Sequence, residues 1–259
     1  GAGARRCPGS IDVAGHGKTV LVNAAVNQPK QPAGPVEVVQ GEVVRPGMGG
    51  RTYFAEACRE AGYHHAEYAA LDLLGKTLRY TTDVSGTGCG CNAAFYLTSM
   101  RQNKLPSQCG DYYCDANKVC GVACSEVDIQ EANMHAFHTS LHAASDMLGS
   151  TGGYGGGGST WSGPRDWTSK QYGPGARCID TTKPFQVSVS FPVDAEGDLK
   201  AMEVKLSQLG SPCPLRTAID SYNRTQEISE ALRAGMTPVA SYWSSDHMLW
   251  MDGQGADGK

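Results

Sequence analysis

The sequence lacks the features that define several large classes of protein. No apolar run approaches the roughly 20 residues that a membrane-spanning helix needs, and the first residues have no apolar core of the kind that a secretory leader carries. With 22 basic residues, 26 acidic residues and a net charge of −4, the chain has no basic surface for nucleic acid. We therefore expect neither a nucleic acid nor a membrane span.

The sequence also lacks a complete phosphate-binding motif. Gly17-Lys18-Thr19 has the ending of such a loop, but the position of the first required glycine is occupied by Asp12. The glycine-rich stretch 152–158 has no Lys-Ser/Thr ending and is interpreted as a flexible loop. No cofactor is expected.

Cysteine, in contrast, is abundant. Ten cysteines in 259 residues indicate an oxidising compartment, and Asn223-Arg224-Thr225 is a sequon for N-glycosylation. We expect a secreted, disulfide-bonded glycoprotein from which the leader has been removed. The length suits one domain over residues 1–259, because no low-complexity linker divides the chain.

Hydrophobic patterning predicts a mainly β chain with few short helices. Phe185, Val187, Val189 and Phe191 alternate with polar residues, which is the period-two pattern of a strand with one buried face. The predicted elements are strands over 77–84, 93–100, 185–191 and 202–206, and helices over 227–234 and 54–74. Strands at this density with glycine-rich connections suit two antiparallel sheets packed as a jelly-roll β-sandwich.

One short segment carries three carboxylates. Residues 124–133 read Cys-Ser-Glu-Val-Asp-Ile-Gln-Glu-Ala-Asn, and in a strand Glu126 and Asp128 share a face. Glu131 has the opposite parity and joins them only if a bulge or bend follows Asp128. A retaining glycosidase needs a carboxylate and a carboxylic acid roughly 5–5.5 Å apart. An ordinary solvated acidic strand edge is the alternative interpretation.

This segment resembles the active-site strand of glycoside hydrolase family seven, the cellobiohydrolases and endoglucanases that cut β-1,4-glucan. The resemblance implies a concanavalin A-like jelly roll in which Glu126 is the nucleophile, Asp128 supports it and Glu131 is the acid/base. Residues 1–48 are not placed by this resemblance. Further similar stretches occur in the family's order at Leu73–Ser85, Cys89–Tyr96, Tyr113–Asp115, Tyr172–Gly175, Asp180–Lys183, Ala234–Met236, Trp243 and Met248–Trp250.

The resemblance also implies residues that bind substrate. Trp243 and Trp250 would be sugar platforms on either side of the cleavage point, with a role in the core as the alternative. Arg165 would lie on the leaving-group side, and a solvated surface arginine is its alternative. A Cys114–Cys124 disulfide is implied as well. The implied polar residues of the cleft are Asn92, Tyr96, Tyr113, Asp115 and Asn117.

Three histidines follow the carboxylates. His135, His138 and His142 have spacings of three and four, which would place them on one face of a helix, so a zinc site has to be considered. We prefer the interpretation without a metal. The resemblance implies that His142, eleven residues after Glu131, hydrogen-bonds the carboxyl of the acid/base.

The chain also departs from the family. Only ten residues separate Asp115 from Glu126, where the family has long loops over the cleft, and Gln130 replaces a tryptophan that would offer an aromatic surface beside the reaction centre. The family's last strand is not recognised. We therefore expect a secreted retaining endo-β-1,4-glucanase with an open cleft and a β-glucan substrate. The alternative is a non-catalytic glycan-binding or structural protein on the same fold.

Overall fold

Strands dominate the computed structural model, which describes residues 5–156 and 163–252. Two α-helices and a 3-10 turn at His65–Glu67 complete the described part of the chain. The strands are β1 (Ser10–Val13), β2 (Gly17–Asn23), β3 (Val26–Gln28), β4 (Gln31–Pro32), β5 (Val36–Val39), β6 (Val43–Pro46), β7 (Gly50–Ala55), β8 (Thr77–Thr82), β9 (Cys91–Thr98), β10 (Glu126–Ala132), β11 (Phe137–His142), β12 (Ser150–Tyr154), β13 (Tyr172–Gly173), β14 (Ile179–Asp180), β15 (Phe185–Ser190), β16 (Met202–Ser207), β17 (Leu215–Ile219) and β18 (Thr237–Ser244), and the helices are α1 (Thr225–Ala234) and α2 (Leu249–Asp252).

Two antiparallel sheets form the body of the fold. The larger sheet has eight strands in the order β1-β2-β7-β18-β9-β10-β11-β12, and the smaller has four in the order β17-β16-β15-β8. A core cluster between them joins Val127 and Ile129 of β10 to Val187 and Val189 of β15. Burial of these apolar faces is the main favourable term for packing the sheets. The predicted jelly-roll sandwich is confirmed.

The strongest periodic patterns correspond to real elements. Strands β8, β9, β15 and β16 and helix α1 lie where the alternation and the helix-end residues predicted them. Helix α1 ends at Gly235, which has φ 90°, and an added Cβ there would lie 2.7 Å from the Cβ of Ala70. Glycine at this position therefore satisfies both the backbone conformation and the close packing.

The helix predicted over 54–74 is wrong. Phe54 and Ala55 end β7, which is buried along its whole length between β2 and β18. After it the chain returns to the same sheet, because Glu56 N donates to the carbonyl of Glu67 and Ala69 N donates to that of Phe54. Pairing with two neighbouring strands outweighs the helix propensity of the segment.

The interpretation of 152–158 as a flexible loop is wrong for its first part. Gly152 and Gly153 lie in β12, opposite Thr139 and His138 of β11. An added Cβ at Gly153 would lie 2.2 Å from the carbonyl of Phe137, so glycine permits the close approach of the two strands. Residues 157 and 158 lie outside the described residues.

Four disulfides cross-link the fold. The Cys114–Cys124 bond that the resemblance implied is present, with a Cα–Cα distance of 5.6 Å. It closes the connection that leads into β10. The other three are Cys7–Cys58, Cys109–Cys120 and Cys178–Cys213. Neither helix in the described part of the chain has the length and apolarity for a membrane crossing.

The N-terminal segment, which the resemblance left without a place, builds part of the larger sheet. Strands β1 and β2 form one edge of it, and β2 pairs with β7. Two hairpins follow, β3 with β4 and β5 with β6. The segment is therefore joined to the strands that carry the candidate site.

Candidate active site

The three carboxylates of residues 126–131 lie on β10, where a bulge decides which face each takes. On the β11 side, two residues of β10 separate Asp128 from Glu131 while one residue separates their partners. On the β9 side the register shifts between Asp128 and Gln130. The bulge predicted from parity is confirmed, and Glu131 lines the same cleft as Glu126 and Asp128.

Glu126 and Asp128 lie on the same face of β10, and each accepts a hydrogen bond. Glu126 Oε2 accepts one from Ala116 N at 3.0 Å, and Asp128 Oδ2 accepts one from Ser140 Oγ at 3.1 Å. Burial, together with the charge of neighbouring carboxylates, raises the pKa of both groups.

Glu131 is held from another strand. Its Oε1 accepts a hydrogen bond from Asn92 Nδ2 at 2.9 Å, and Asn92 on β9 is fully buried. Burial raises the pKa of the Glu131 carboxyl, and the hydrogen bond from Asn92, which favours the charged form, offsets part of that rise. A raised pKa suits a group that must hold its proton until it acts as a general acid.

His142 contacts Asp128 rather than Glu131. Its Nε2 lies 3.1 Å from Ser140 Oγ and 3.4 Å from Asp128 Oδ2, and its Nδ1 lies 2.8 Å from the carbonyl oxygen of Asp146. Because a carbonyl only accepts, Nδ1 carries a proton. The implied hydrogen bond between His142 and the Glu131 carboxyl is therefore wrong, since the register of β10 and β11 places His142 opposite the first carboxylate.

The three histidines do not share a helical face. Residues Phe137–His142 form β11, so His138 and His142 share a strand face and line the cleft, whereas His135 precedes the strand. Burial lowers the pKa of His138 to about 4, which keeps its imidazole neutral near pH 7. Within residues 5–156 and 163–252, no group of three or more His, Cys, Asp or Glu side chains is arranged to hold a metal ion.

The carboxylates lie where the two halves of the cleft meet. The larger half, which we call the Trp250 half, has a volume of about 530 Å³. The smaller, which we call the tyrosine half, has a volume of about 160 Å³ and is lined by Tyr96 and Tyr113. Both halves share Asn117, Glu126, Asp128, Glu131 and Trp243 as lining residues. A linear ligand in this cleft would pass directly over the carboxylates.

Most of the binding residues implied by the resemblance line this cleft. They are Tyr96, Tyr113, Asp115, Asn117, Trp243 and Trp250. Asn92 instead lies beneath the cleft with Glu131. Arg165 is exposed and is not among the lining residues, although its neighbours Gly163 and Pro164 are. Its role on the leaving-group side stays a prediction.

The bulge also reverses the interpretation of Gln130. The side chain of Gln130 is buried, donates to Thr82 Oγ1 at 3.2 Å and to the Ala93 carbonyl at 3.1 Å, and accepts from Tyr80 OH at 3.3 Å. It therefore lies between the sheets, toward β8, so Gln130 does not border the reaction centre, and the expectation that this replacement removes an aromatic surface there is wrong. The shift that turns Glu131 into the cleft turns Gln130 out of it.

Several lining residues were missed from the sequence. Arg51, Asn27 and Gln28 line the tyrosine half, and Met147 and Leu148 line the Trp250 half with 67% and 87% of their surface exposed. The sequence Asp-Met-Leu-Gly places two apolar residues in a short turn-like segment, which could have indicated that they line a binding surface. The other three carry no local signal, because long-range packing brings them to the cleft.

The raised pKa values predict a pH-dependent effect on stability. Below the unfolded pKa of about 4, Asp128 is protonated in both the folded and the unfolded chain. The folded chain has the higher pKa at Asp128, so the free energy of unfolding decreases as the pH rises from about 4 to the folded pKa. Asp128→Asn should therefore raise the unfolding temperature at pH 7 and have little effect near pH 3.5. In a domain of this size, about 1 kcal/mol corresponds to roughly 2–4 °C.

Calorimetric unfolding at the two pH values measures this effect, with Asp220→Asn as the control. Asp220 is exposed, so the same chemical change there should leave the unfolding temperature nearly constant at both pH values. An Asp128→Asn chain that is less stable than the parent at pH 7 would contradict the raised pKa.

Together the fold and the site define a class of protein. The larger sheet of a jelly-roll sandwich carries three carboxyl groups, of which Asp128 is buried and Glu126 and Glu131 are partly buried, in a cleft that Trp243 and Trp250 also line. These are the kinds of group that retaining glycosidases use on their substrates. Comparison with known proteins agrees with this class. No family model matches the chain.

Several curated proteins are similar to the chain. Endoglucanase type C of Fusarium oxysporum is 26% identical over 86% of this chain and 62% of its own length. Endoglucanase 1 of Pyricularia oryzae is 28% identical over 73% of this chain and 58% of its own length. The chain thus spans about three fifths of the length of these relatives.

Solved structures have the same fold. The native endocellulase EGI of Humicola insolens superposes with a TM-score of 0.57 at 20% identity, covering 88% of this chain and 65% of the other. A cellobiohydrolase of glycoside hydrolase family seven from Daphnia pulex gives a TM-score of 0.59 at 20% identity, covering 90% and 67%. These likenesses show that this chain shares the jelly-roll fold of the two structures.

Proposed function

We propose that this protein is a shortened, divergent member of glycoside hydrolase family seven and a retaining endo-β-1,4-glucanase. The observation that carries the proposal is the bulge in β10, which brings Glu131 into the cleft with Glu126 and Asp128. In the alternative interpretation, a solvated acidic strand edge, nothing would require a bulge that brings Glu131 into a cleft lined by two tryptophans. The similarity to fungal endoglucanases supports the same activity.

The mechanism assigns one role to each carboxyl. Glu131, whose pKa is raised by burial, protonates the leaving oxygen while Glu126 attacks the anomeric carbon to form a glycosyl-enzyme ester. Asp128, which accepts a hydrogen bond from Ser140 and lines the cleft beside Glu126, supports and orients the nucleophile. Water activated by Glu131 then cleaves the ester and releases the sugar with retained configuration.

His142 is a positioning residue in this scheme. Its Nδ1–H donates to the carbonyl of Asp146, which leaves Nε2 facing Ser140 and Asp128. Ser140 in turn donates to Asp128. The pair of His142 and Ser140 therefore fixes the rotamer of Asp128, and Asp128 fixes the nucleophile.

Substrate and location follow from the same features. The tryptophans offer flat apolar faces to glucose rings, and the net charge of −4 suits a neutral polysaccharide better than a polyanion. Four disulfides support secretion into an oxidising environment.

The experiment that tests the activity measures release of reducing ends from a soluble mixed-linkage β-glucan and from carboxymethylcellulose, with the Glu126→Gln chain as a blank. Release by the parent and not by the variant supports the proposal. A parent that binds cello-oligosaccharides in calorimetry without releasing reducing ends would be the non-catalytic glycan-binding protein instead.

We expect internal cleavage to dominate. Only ten residues connect Asp115 to Glu126, and the Cys114–Cys124 and Cys109–Cys120 disulfides cross-link this short connection, so it has little length with which to roof the cleft. Viscosity of carboxymethylcellulose should therefore fall steeply while few reducing ends appear. Cellobiose as nearly the sole early product, at high viscosity, would contradict the open cleft.

A further inference from the structure

The turn that follows β11 carries the carbonyl that holds His142. We call residues 143–149 the Asp146 turn. Asp146 N donates to the carbonyl of Ala143 at 3.0 Å, and the carbonyl of Asp146 accepts from His142 Nδ1 at 2.8 Å. An added Cβ at Gly149 would lie 2.5 Å from His142 Nδ1, so the end of the turn packs directly against the ring. The orientation of the imidazole therefore depends on the conformation of the Asp146 turn.

The Asp146 turn has little of its own to stabilise this conformation. Ser145 has φ 64°, which lies in the left-handed region that residues other than glycine adopt at a cost in energy. Met147 and Leu148, the next apolar residues, are largely exposed and bury little surface. Contacts from another part of the chain have to hold the turn in place.

Tyr222, in the segment before α1, provides such a contact. Its hydroxyl donates to Asp146 Oδ2 at 2.5 Å and accepts from Ala143 N at 2.9 Å, so one group spans the turn with both its donor and its acceptor. The other carboxylate oxygen of Asp146 accepts from Gly149 N at 3.1 Å. The ring of Tyr222 is buried in the core cluster between the sheets. The hydroxyl therefore fixes the turn relative to the sandwich.

The titration of the two partners agrees with this direction of the hydrogen bond. The hydrogen bond from Tyr222 lowers the pKa of the Asp146 carboxyl, which stays ionised as an acceptor. Burial, followed by the hydrogen bond to Asp146, raises the pKa of Tyr222 to about 12, so the phenol keeps its proton. The contact is a charge-assisted hydrogen bond, which is stronger than one between neutral groups.

Helix α1 holds the first half of the turn independently of Tyr222. Glu227 Oε1 accepts from Ala144 N at 2.7 Å and from Ser125 Oγ, in the residue before β10, at 3.3 Å. Arg224 Nη2 donates to Glu227 Oε2 at 2.6 Å. Loss of the Tyr222 hydroxyl would thus release Asp146 while the start of the turn remains attached to α1.

We propose that Tyr222 is a positioning residue of the active site, which acts through Asp146 on His142 and through His142 on Asp128. His142 Nε2 lies 3.4 Å from Asp128 Oδ2, so a rotation of the imidazole changes the surroundings of the carboxyl beside the nucleophile. The inference rests on the proposed glucanase function and extends it to a side chain that is not among the lining residues of either half of the cleft.

The first test is Tyr222→Phe, which keeps the ring in the core and removes the hydroxyl. Small misplacements of catalytic groups are costly, so kcat on soluble β-glucan should fall about tenfold or more. KM should stay within about twofold of the parental value, because no group that contacts the substrate has changed. Calorimetric binding of cellotetraose in the Glu126→Gln background should likewise be unchanged.

Tyr63→Phe is the matched control. The Tyr63 hydroxyl donates to the carbonyl of Asn23 at 2.8 Å, and Tyr63 is not among the lining residues of the cleft in the described part of the chain. Both variants lose one hydrogen bond of a partly buried phenol, so both should lose some thermal stability. Only Tyr222→Phe should lose kcat.

The second test observes His142 directly. In protein labelled with 15N-histidine, the Nδ1–H proton of His142, assigned with His142→Asn, should give a sharp resonance in the parent and in Tyr63→Phe, because it is held by the Asp146 carbonyl. Exchange with water should broaden this resonance in Tyr222→Phe. Asp146→Ala should lower kcat by a similar factor, and the double variant with Tyr222→Phe should be little worse than either single one.

Parental kcat and a sharp His142 resonance in Tyr222→Phe would overturn the positioning role, while hydrolysis of β-glucan by the parent would leave the glucanase in place. An equal loss of kcat in Tyr222→Phe and Tyr63→Phe would overturn it too, since the loss would then follow from any missing hydrogen bond. A parent without activity on β-glucan would overturn the glucanase and with it the catalytic part of the inference, and the resonance would still show whether Tyr222 holds His142.

Discussion

Replacing Glu126 with glutamine should lower kcat on soluble β-glucan by on the order of 10⁴-fold or more, as expected when a catalytic nucleophile is removed. The change keeps the volume and the hydrogen bond to Ala116 N but removes the oxygen that would form the glycosyl ester. Binding should survive, since Trp243 and Trp250, the proposed sugar platforms in the cleft, are untouched. Reducing-end release and oligosaccharide binding measure the two effects separately.

A chemical rescue identifies the role of Glu126 more directly. In the Glu126→Ala chain, azide can enter the vacated space and attack the anomeric carbon of an activated β-glycoside, so the product should be an α-glycosyl azide. Exposed Glu230 lies on α1, away from the cleft, and Glu230→Gln serves as the control, with unchanged turnover. If the Glu126→Gln chain kept more than about a tenth of the parental kcat, Glu126 would not be the nucleophile.

Replacing Glu131 with glutamine should have a large effect that depends on the leaving group. General acid catalysis typically contributes about 10²–10⁴-fold, so hydrolysis of glucan, whose sugar leaving group needs a proton, should fall by that order. An aryl cellobioside with a good leaving group needs no proton for the first step, and its glycosyl-enzyme ester should form quickly and accumulate. Burst kinetics with the aryl substrate and steady-state rates with glucan measure the contrast.

The pH profile gives an independent check on Glu131. Its pKa is raised by burial, so the parent should lose kcat/KM on the alkaline side as the acid ionises, and Glu131→Gln should lack that limb. Azide should rescue Glu131→Ala with retained configuration, giving a β-glycosyl azide. Equal losses on glucan and on the aryl substrate would exclude Glu131 as the acid.

Local structural features could be predicted from the amino-acid sequence. The alternation over 185–191 predicts β15 because the side-chain period of a strand is short and its buried face needs only apolar residues at every second position. The three carboxylates and their order are read directly from the residues, and strand parity showed that Glu131 could join the other two only through a bulge or bend after Asp128. The helix expected over 54–74 failed because that segment's composition said nothing about the two strands that flank β7.

By itself, then, the sequence determined the chemistry available on β10 and the alternating patterns that make a sandwich of two sheets. Only the tertiary structure decided which groups meet. The bulge in β10 places Gln130 between the sheets and Glu131 in the cleft. The register of β10 and β11 brings His142 into contact with Asp128. Arg51 reaches the carbonyl of Asn27 for the same reason. Such contacts join residues far apart in the chain, so their geometry is set by strand pairing and packing that no local pattern encodes.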